Sequence, residues 1–268
     1  MKIAVLGAGP SGMMAAHAAS EFGHHITILD KEPDKTRRNS GVFFLHDDCN
    51  LALDEVHLKQ RVLGAFGKKN ADDISRAYGV KVYGRALPKT SIISAMRAEN
   101  ANVIGYNAEQ AIDRLWDLYG SQVKPYEFLG STLSEEALFN RYDKVISTIP
   151  AKLWYPSHAY SSVTTWIKIG TAPKDEGFIF YNINPHSKWY RCSAMLGTFV
   201  QEYGAGFKPH MAYPYSYVFR TVTKVIGVDR PFPETNNLFL VGRYGAWDKS
   251  CLTHNVYHRT LDWLMEER

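Results

Sequence analysis

The chain has 268 residues, is 45% hydrophobic and 22% charged, and carries a formal net charge of +4; this balance suits one large domain or two interleaved small ones around a true core. No stretch approaches the roughly 18 consecutive apolar residues of a membrane-spanning helix, and the amino terminus enters an apolar run without the regions of a signal peptide, so neither membrane insertion nor export is expected. Cys49, Cys192 and Cys251 are odd in number, widely spaced and free of any metal-ligand pattern, which points to a reducing, cytoplasmic setting with no metal.

The first thirty residues carry the strongest pattern. Lys2-Ile3-Ala4-Val5-Leu6 predicts a buried strand. Gly7-Ala8-Gly9-Pro10-Ser11-Gly12 follows, then a small-residue helix over Met13–Phe22 closed by Gly23, then a strand over Ile26–Leu29 ending in Asp30. This is a G-x-G-x-x-G loop between a strand and a helix, with an acid eighteen residues after Gly12. Gly7 turns the chain off the strand, Gly9 leaves room for a pyrophosphate against the backbone, and Gly12 lets helix and strand pack closely. Pro10 and Ser11 lie in this loop beside the dinucleotide, and the N-terminus of the helix that follows offers free N–H groups and a partial positive charge to phosphates. Asp30 can accept hydrogen bonds from a ribose diol.

Lys31 and a basic, polar stretch follow, in which Arg37 and Arg38 are within reach of the adenine-side phosphate or ribose. Ser40-Gly41 closes that stretch, Val42-Phe43-Phe44-Leu45 is apolar, and His46-Asp47-Asp48 comes next. Here the chain resembles flavoproteins of the glutathione-reductase type, and UDP-galactopyranose mutase in particular. In that group the acid is followed by a basic residue, a glycine turn, and an apolar segment ending in His that lies against the flavin. The resemblance implies FAD, with Lys31, Arg38, Gly41 and His46 beside it. This chain departs in having one glycine in the turn and Asp in place of Glu.

Residues 51–100 look like an insertion and hold nine Lys/Arg against five acids, a surplus able to steer a polyanion. Apolar spacing predicts a helix over Leu51–Phe66, a turn of helix from Ile74 and a strand over Val80–Tyr83. Ala108–Tyr119 is an amphipathic helix ended by Gly120, and Lys144–Ile149 is a buried strand stopped by Pro150. From Thr164 to Phe219 the pattern is β, with short strands over Trp166–Ile169, Phe178–Tyr181 and Trp189–Cys192 and from Tyr215 to Val222. One antiparallel sheet is expected there. Phe207-Lys208-Pro209-His210 lies between strands and offers His210 as a base.

Asn237–Val241 predicts a strand running into Gly242-Arg243, and Leu252–Met265 a final helix. Flavoproteins of this type end the same way, and the likeness implies Gly242, Arg243, Leu252 and Thr253 along the flavin, with Lys249, His254 and Asn255 near its reactive face. The fold class expected is α/β: a Rossmann-like FAD-binding domain from residues 1–50, 101–150 and 231–268, interleaved with an antiparallel-sheet substrate domain from 51–100 and 151–230. A second G-x-G-x-x-G is absent, as is the Tyr-x-x-x-Lys pair of short-chain dehydrogenases.

Gly-Arg-Tyr-Gly-Ala-Trp at Gly242–Trp247 and Asp-Arg-Leu-Trp-Asp-Leu-Tyr-Gly at Asp113–Gly120 resemble segments of small flavoproteins encoded by bacteriophages. Some of these look like FAD-dependent lyases of thymine hypermodification. That resemblance implies a host-cytoplasmic enzyme acting on DNA that carries a glycine adduct on the thymine methyl group. Oxidation at the amino-acid α-carbon and hydrolysis would release glyoxylate and leave 5-aminomethyl-uracil. His46, His210 or His254 would keep the amine neutral, Lys208, Lys249 or Arg243 would hold the carboxylate, and the target base would leave the stack. Two other readings stay open. One is a mutase-like sugar-nucleotide flavoenzyme using Arg191, Arg220, Tyr190 and Tyr217. The other is a flavin-binding protein without catalysis. The oligomeric state is open.

Overall fold

In the computed structural model the described residues are 1–33, 44–64, 71–85, 100–172, 177–209, 217–233 and 235–266. Arg37, Arg38, Ser40, Gly41 and His210 lie outside them. In chain order the elements are β1 (Lys2–Leu6), α1 (Pro10–Glu21), β2 (His25–Asp30), β3 (Phe44–Leu45), β4 (Glu55–Leu63), α2 (Ala71–Tyr83), β5 (Asn100–Asn107), α3 (Ala108–Tyr119), β6 (Val123–Pro125), α4 (Thr132–Phe139), β7 (Lys144–Ser147), β8 (Tyr160–Thr171), β9 (Phe178–Asn182), β10 (Trp189–Met195), β11 (Thr198–Tyr203), β12 (Val218–Val228), β13 (Leu238–Leu240) and α5 (Thr253–Met265). They divide into two compact units, one of Met1–Asp54, Tyr106–Ser161 and Gly227–Arg268, the other of Glu55–Gly105 and Ser162–Ile226.

The first unit is built on a parallel sheet in the order β13-β7-β1-β2-β6. Strands buried on both faces favour apolar side chains at successive positions, as in Ile3–Leu6 of β1 and Val145–Ile146 of β7. Ile3, Val5, Ile28 and Ile146 point to one face, where α1, α3 and α5 supply Met14, Ala18, Leu115, Val256 and Leu264. Ala4, Leu6, Leu29 and Val145 point to the other, against Leu138 of α4, Phe128 and Tyr142. The alanines of α1 are fully buried and let its neighbours close on it. Asn107 caps α3 by accepting from the N–H groups of Glu109 and Gln110 at 3.0 and 3.2 Å.

The second unit holds a mainly antiparallel sheet in the order β12-β8-β11-β10-β9-β4-β5. Strands β8, β11, β10 and β9 pair antiparallel, and β4 joins β9 parallel. Two expectations fail here. The segment read as a helix over Leu51–Phe66 contains β4, because Val56, Leu58, Gln60 and Val62 alternate as its buried side; its period is two, and the flanking leucines only mimic a helical stripe. Val80–Tyr83 is the last turn of α2 and not a strand. Ile74, Tyr78 and Val82, four residues apart, form one buried line against Val62, Ile183 and Tyr190. The whole is a mixed α/β fold with a Rossmann-like parallel sheet and a separate, mostly antiparallel one, as expected. No helix among the described residues is long and apolar enough to cross a membrane.

Candidate dinucleotide site

The three segments singled out by sequence meet at the carboxyl ends of β1, β7 and β13. Gly7 has φ +98°, and a Cβ there would lie 2.7 Å from the Thr148 hydroxyl. A Cβ on Gly12 would stand 1.7 Å from the Gly7 carbonyl oxygen. Both glycines are therefore demanded by packing of the loop on itself and on the strand end at Thr148, whose hydroxyl donates to the Leu6 carbonyl at 2.8 Å. Gly242 has φ +83°, and its Cβ would press on Ser11 at 3.0 Å. The carboxyl-terminal loop is thus seated against the start of α1.

Gly9 is different: a Cβ there meets nothing within 4 Å. It is also the residue that caps α1, with no side chain to occupy the helix terminus and Pro10 at the first helical position. The space in front of Gly9 is open, and the first-turn N–H groups of a helix lack intrahelical partners, which fits a diphosphate laid on the loop. Asp30 braces the loop: its carboxylate accepts from the Ala8 N–H at 2.6 Å and the Glu32 N–H at 2.8 Å. Each oxygen retains a lone pair for a ribose hydroxyl. Lys31 instead pairs with Glu127 at 2.6 Å, both well exposed. Beside them Leu6, Leu29, Tyr126, Phe128, Ile149 and Leu153 line a cleft of about 400 Å³, apolar and of a size to take an adenine. Its residues come from separate segments, so sequence offered no signal for it; Thr148 was visible only as part of a strand ending before proline.

At the far end the Gly242 N–H donates to the Cys251 sulfur at 3.1 Å, tying the loop to a residue two positions before the start of α5. The Leu252 N–H donates to Asn255 Oδ1 at 3.1 Å, so Asn255 fixes that terminus. Thr253 and His254 open the helix. The His254 ring meets His46 edge-on, centroids 5.1 Å apart. Burial, and then repulsion from His46, hold the His254 pKa down to about 4, against a smaller pull from Asp47. Desolvation also lowers His46; since its side chain stays exposed, the effect is partial. Burial thus holds both rings toward the neutral form. Arg243 and Lys249 are half-buried in the same loop, Lys249 with its pKa lowered by burial. Asp248 shapes that loop through bonds from Ser250 and an ion pair with Arg259 at 3.2 Å.

Ligand-type atoms of Asp47, Cys49 and His258 lie within 4.8 Å of one another. Burial, reinforced by Asp47, pushes the Cys49 thiol up to about 12, and Asp47 is held by the Cys49 N–H at 2.8 Å and by His258 at 3.0 Å. A local turn and an ion pair account for this group. In the second unit, Tyr190 and Arg191 bond to buried Glu202 and are consumed by it. They are not set to clamp the diphosphate of a sugar nucleotide.

Residues 5–38 match the family described as NAD(P)-binding Rossmann-like domain. No curated protein sequence matches the chain. Among solved structures the chain is similar to an oxidoreductase from Methanosarcina mazei, at 12% identity over 99% of this chain and 100% of that one, with a TM-score of 0.58. It is similar to 2,6-dihydroxypyridine-3-hydroxylase from Arthrobacter nicotinovorans, at 10% identity over 97% and 84%, TM-score 0.54. It is also similar to Klebsiella pneumoniae HpxO complexed with FAD and uric acid, at 12% identity over 97% and 78%, TM-score 0.52. The family match is confined to the first strand, loop and helix and the strand that follows, while the fold is shared with these solved structures over nearly the whole chain.

Proposed function

We propose that the chain is an FAD-dependent oxidoreductase that oxidises a C–N bond of a glycine adduct on thymine in DNA. The observation that carries the reading is the meeting of the Gly7–Gly12 loop, Thr148 and Gly242 around an open helix terminus. Two glycines are enforced by the protein's own packing, and a third is left free for a ligand. A nicotinamide dinucleotide would use the amino-terminal loop; a flavin dinucleotide also gives the seated carboxyl-terminal loop a purpose, and a protein of the same fold is complexed with FAD.

Held by the Gly7–Gly12 loop, Asp30 and the Gly242 turn, FAD would supply two-electron redox chemistry to the adduct, with molecular oxygen as the final acceptor. Water supplies the oxygen atom, so that the glycine carbons leave as glyoxylate and the nitrogen stays on the base as an aminomethyl group. The chain's contribution is to hold the reacting groups. His254 and His46, held toward the neutral form by burial, would accept a hydrogen bond from the amine N–H, and the same desolvation favours the uncharged, reactive amine. Arg243 and Lys249 supply cations for the carboxylate. The positive end of α5 favours negative charge arriving at its first turn. Substrate binding is assigned to the second unit.

A second reading is an aromatic hydroxylase, favoured by the fold shared with 2,6-dihydroxypyridine-3-hydroxylase. The two differ in where the electrons come from. An amine substrate reduces the flavin itself, whereas hydroxylation needs an external reductant. Purified protein should absorb as a flavoprotein and bleach anaerobically on addition of glycine-modified DNA without NAD(P)H. Bleaching only with NAD(P)H would favour the hydroxylase, and isomerisation of UDP-galactofuranose by the chemically reduced protein, without any bleaching by the DNA, would overturn both.

A further inference from the structure

The sheet of the second unit has two unlike faces. One is closed: α2, the single helix among that unit's described residues, lies on it with Tyr78 and Val82, and the Glu202 cluster is buried there. The other begins at β4 with exposed His57, Lys59 and Arg61. Strand register extends it in two rungs. Arg61 stands beside Phe180, then Cys192, Gln201 and Lys168. Lys59 stands beside Phe178, then Ala194, Phe199 and Gly170.

The rings of Phe178 and Phe180 lie 4.5 Å apart and nearly parallel. Lys168 Nζ sits 3.7 Å from the centre of the Tyr217 ring, and Phe199 meets the same ring at 6.4 Å. Trp166, two residues before Lys168 on β8, has Lys208 Nζ at 5.9 Å. Among the described residues of these strands the face carries one acid, Glu55, which pairs with His57 at 3.4 Å.

Rings and cations stand on four of the five strands, Lys59 and Arg61 on β4, Phe178 and Phe180 on β9, Phe199 on β11, Trp166 and Lys168 on β8, with buried Cys192 and Ala194 of β10 between them. A sugar nucleotide needs its cations converging on one diphosphate, whereas these are spread. A duplex hides its base faces in the stack. Unpaired DNA offers both a run of phosphates and open π-faces, and a sheet that interleaves rings with Lys and Arg meets both. We propose that this face, centred on Arg61, Phe178, Phe180, Phe199, Trp166 and Lys168, binds the unpaired DNA segment around the target base. The proposal rests on the reading of DNA as substrate, not on the flavin chemistry.

The test uses full-length protein purified with its flavin and a fluorescein-labelled oligothymidylate, titrated by anisotropy at two salt concentrations. The paired substitution Lys59→Gln with Arg61→Gln should weaken binding about tenfold and lower the salt slope by about 1.4, the value for two phosphate contacts on a single strand. Phe180→Leu, which keeps the volume and loses the π-face, should weaken binding about fivefold with the slope unchanged. Arg141→Gln, exposed on the first unit, should change nothing. Equal affinity for a duplex of the same sequence, or variants that bind as the parent does, would overturn the proposal. Absorbance recorded on the same samples separates the two readings: flavin bound without oligothymidylate binding sinks this face alone, whereas oligothymidylate bound without flavin sinks the flavoenzyme and supports the face.

Discussion

At Gly12 a Cβ would collide with the backbone of Gly7, and backbone cannot swing aside as a side chain can. At Gly9 the same atom would enter empty space. Gly12→Ala should therefore lower stability by about 1–3 kcal/mol, the range for forcing a methyl into a packed site, and abolish cofactor retention. Gly9→Ala should leave the melting temperature unchanged and weaken FAD binding roughly tenfold or more, which corresponds to about 1.4 kcal/mol. Thermal melts and flavin titration of the two variants read the difference, and a large loss of stability in Gly9→Ala would mean the open space is not a ligand's. His254 gives a second residue-scale test. Its folded pKa of about 4 lies below the ordinary value near 6.5, so the folded state binds fewer protons. Its contribution is complete above about pH 6.5 and falls as pH drops toward 4. Urea midpoints across that window should decline, and His254→Gln should flatten the decline; parallel slopes would rule it out.

The elements that position the dinucleotide were legible because each obeys one rule at a time. Strand β1 holds the apolar run Ile3–Leu6 and β7 the apolar pair Val145–Ile146, α1 is rich in alanine, and Gly7, Gly12 and Gly242 stand where a positive φ or a close approach requires them. Strand β4 was not legible, since Lys59 and Arg61 leave it only alternate apolar positions and Leu51, Leu53 and Leu63 supply a false helical spacing. Helix α2 was obscured by Val80 and Val82, residues whose β preference yields to the line that Ile74, Tyr78 and Val82 bury. Nor does any local pattern announce that Glu202 on β11 gathers Arg191, Tyr190 and Lys224, which come from two other strands. Burial opposes its charge, but Arg191 and Lys224 outweigh burial and hold its carboxyl well below the usual range. Glu202→Gln would remove the carboxylate that Arg191 and Lys224 share, and the cost of breaking such a buried cluster is about 3–5 kcal/mol. The β10–β11 hairpin should lose hydrogen-exchange protection by a matching amount. Protection equal to the parent's would show that Arg191 and Lys224 escape to water.

The two units have separate cores, Ile3, Val5, Ile28 and Val256 in one and Val62, Ile74, Tyr78 and Tyr190 in the other. A ligand held by the first can stabilise the second only through whatever cooperativity links them. Saturating FAD at a hundred times its dissociation constant should stabilise the first unit by about 2.7 kcal/mol. Removing FAD from the purified protein should cost protection at the amides of Gly7–Met13 and Val241–Val256, where the loop, the strand end and the start of α5 meet. The amides of β10 and β11 exchange through openings of their own sheet. They should keep their protection in apoprotein at moderate denaturant, and two unfolding transitions should separate as FAD is titrated back, the first moving and the second fixed. If β10 and β11 lose protection in step with the Gly7–Met13 loop, the interleaved crossings at residues 54, 105, 161 and 226 bind the chain into one cooperative body. In that case the geometric division between the two cores has no thermodynamic counterpart.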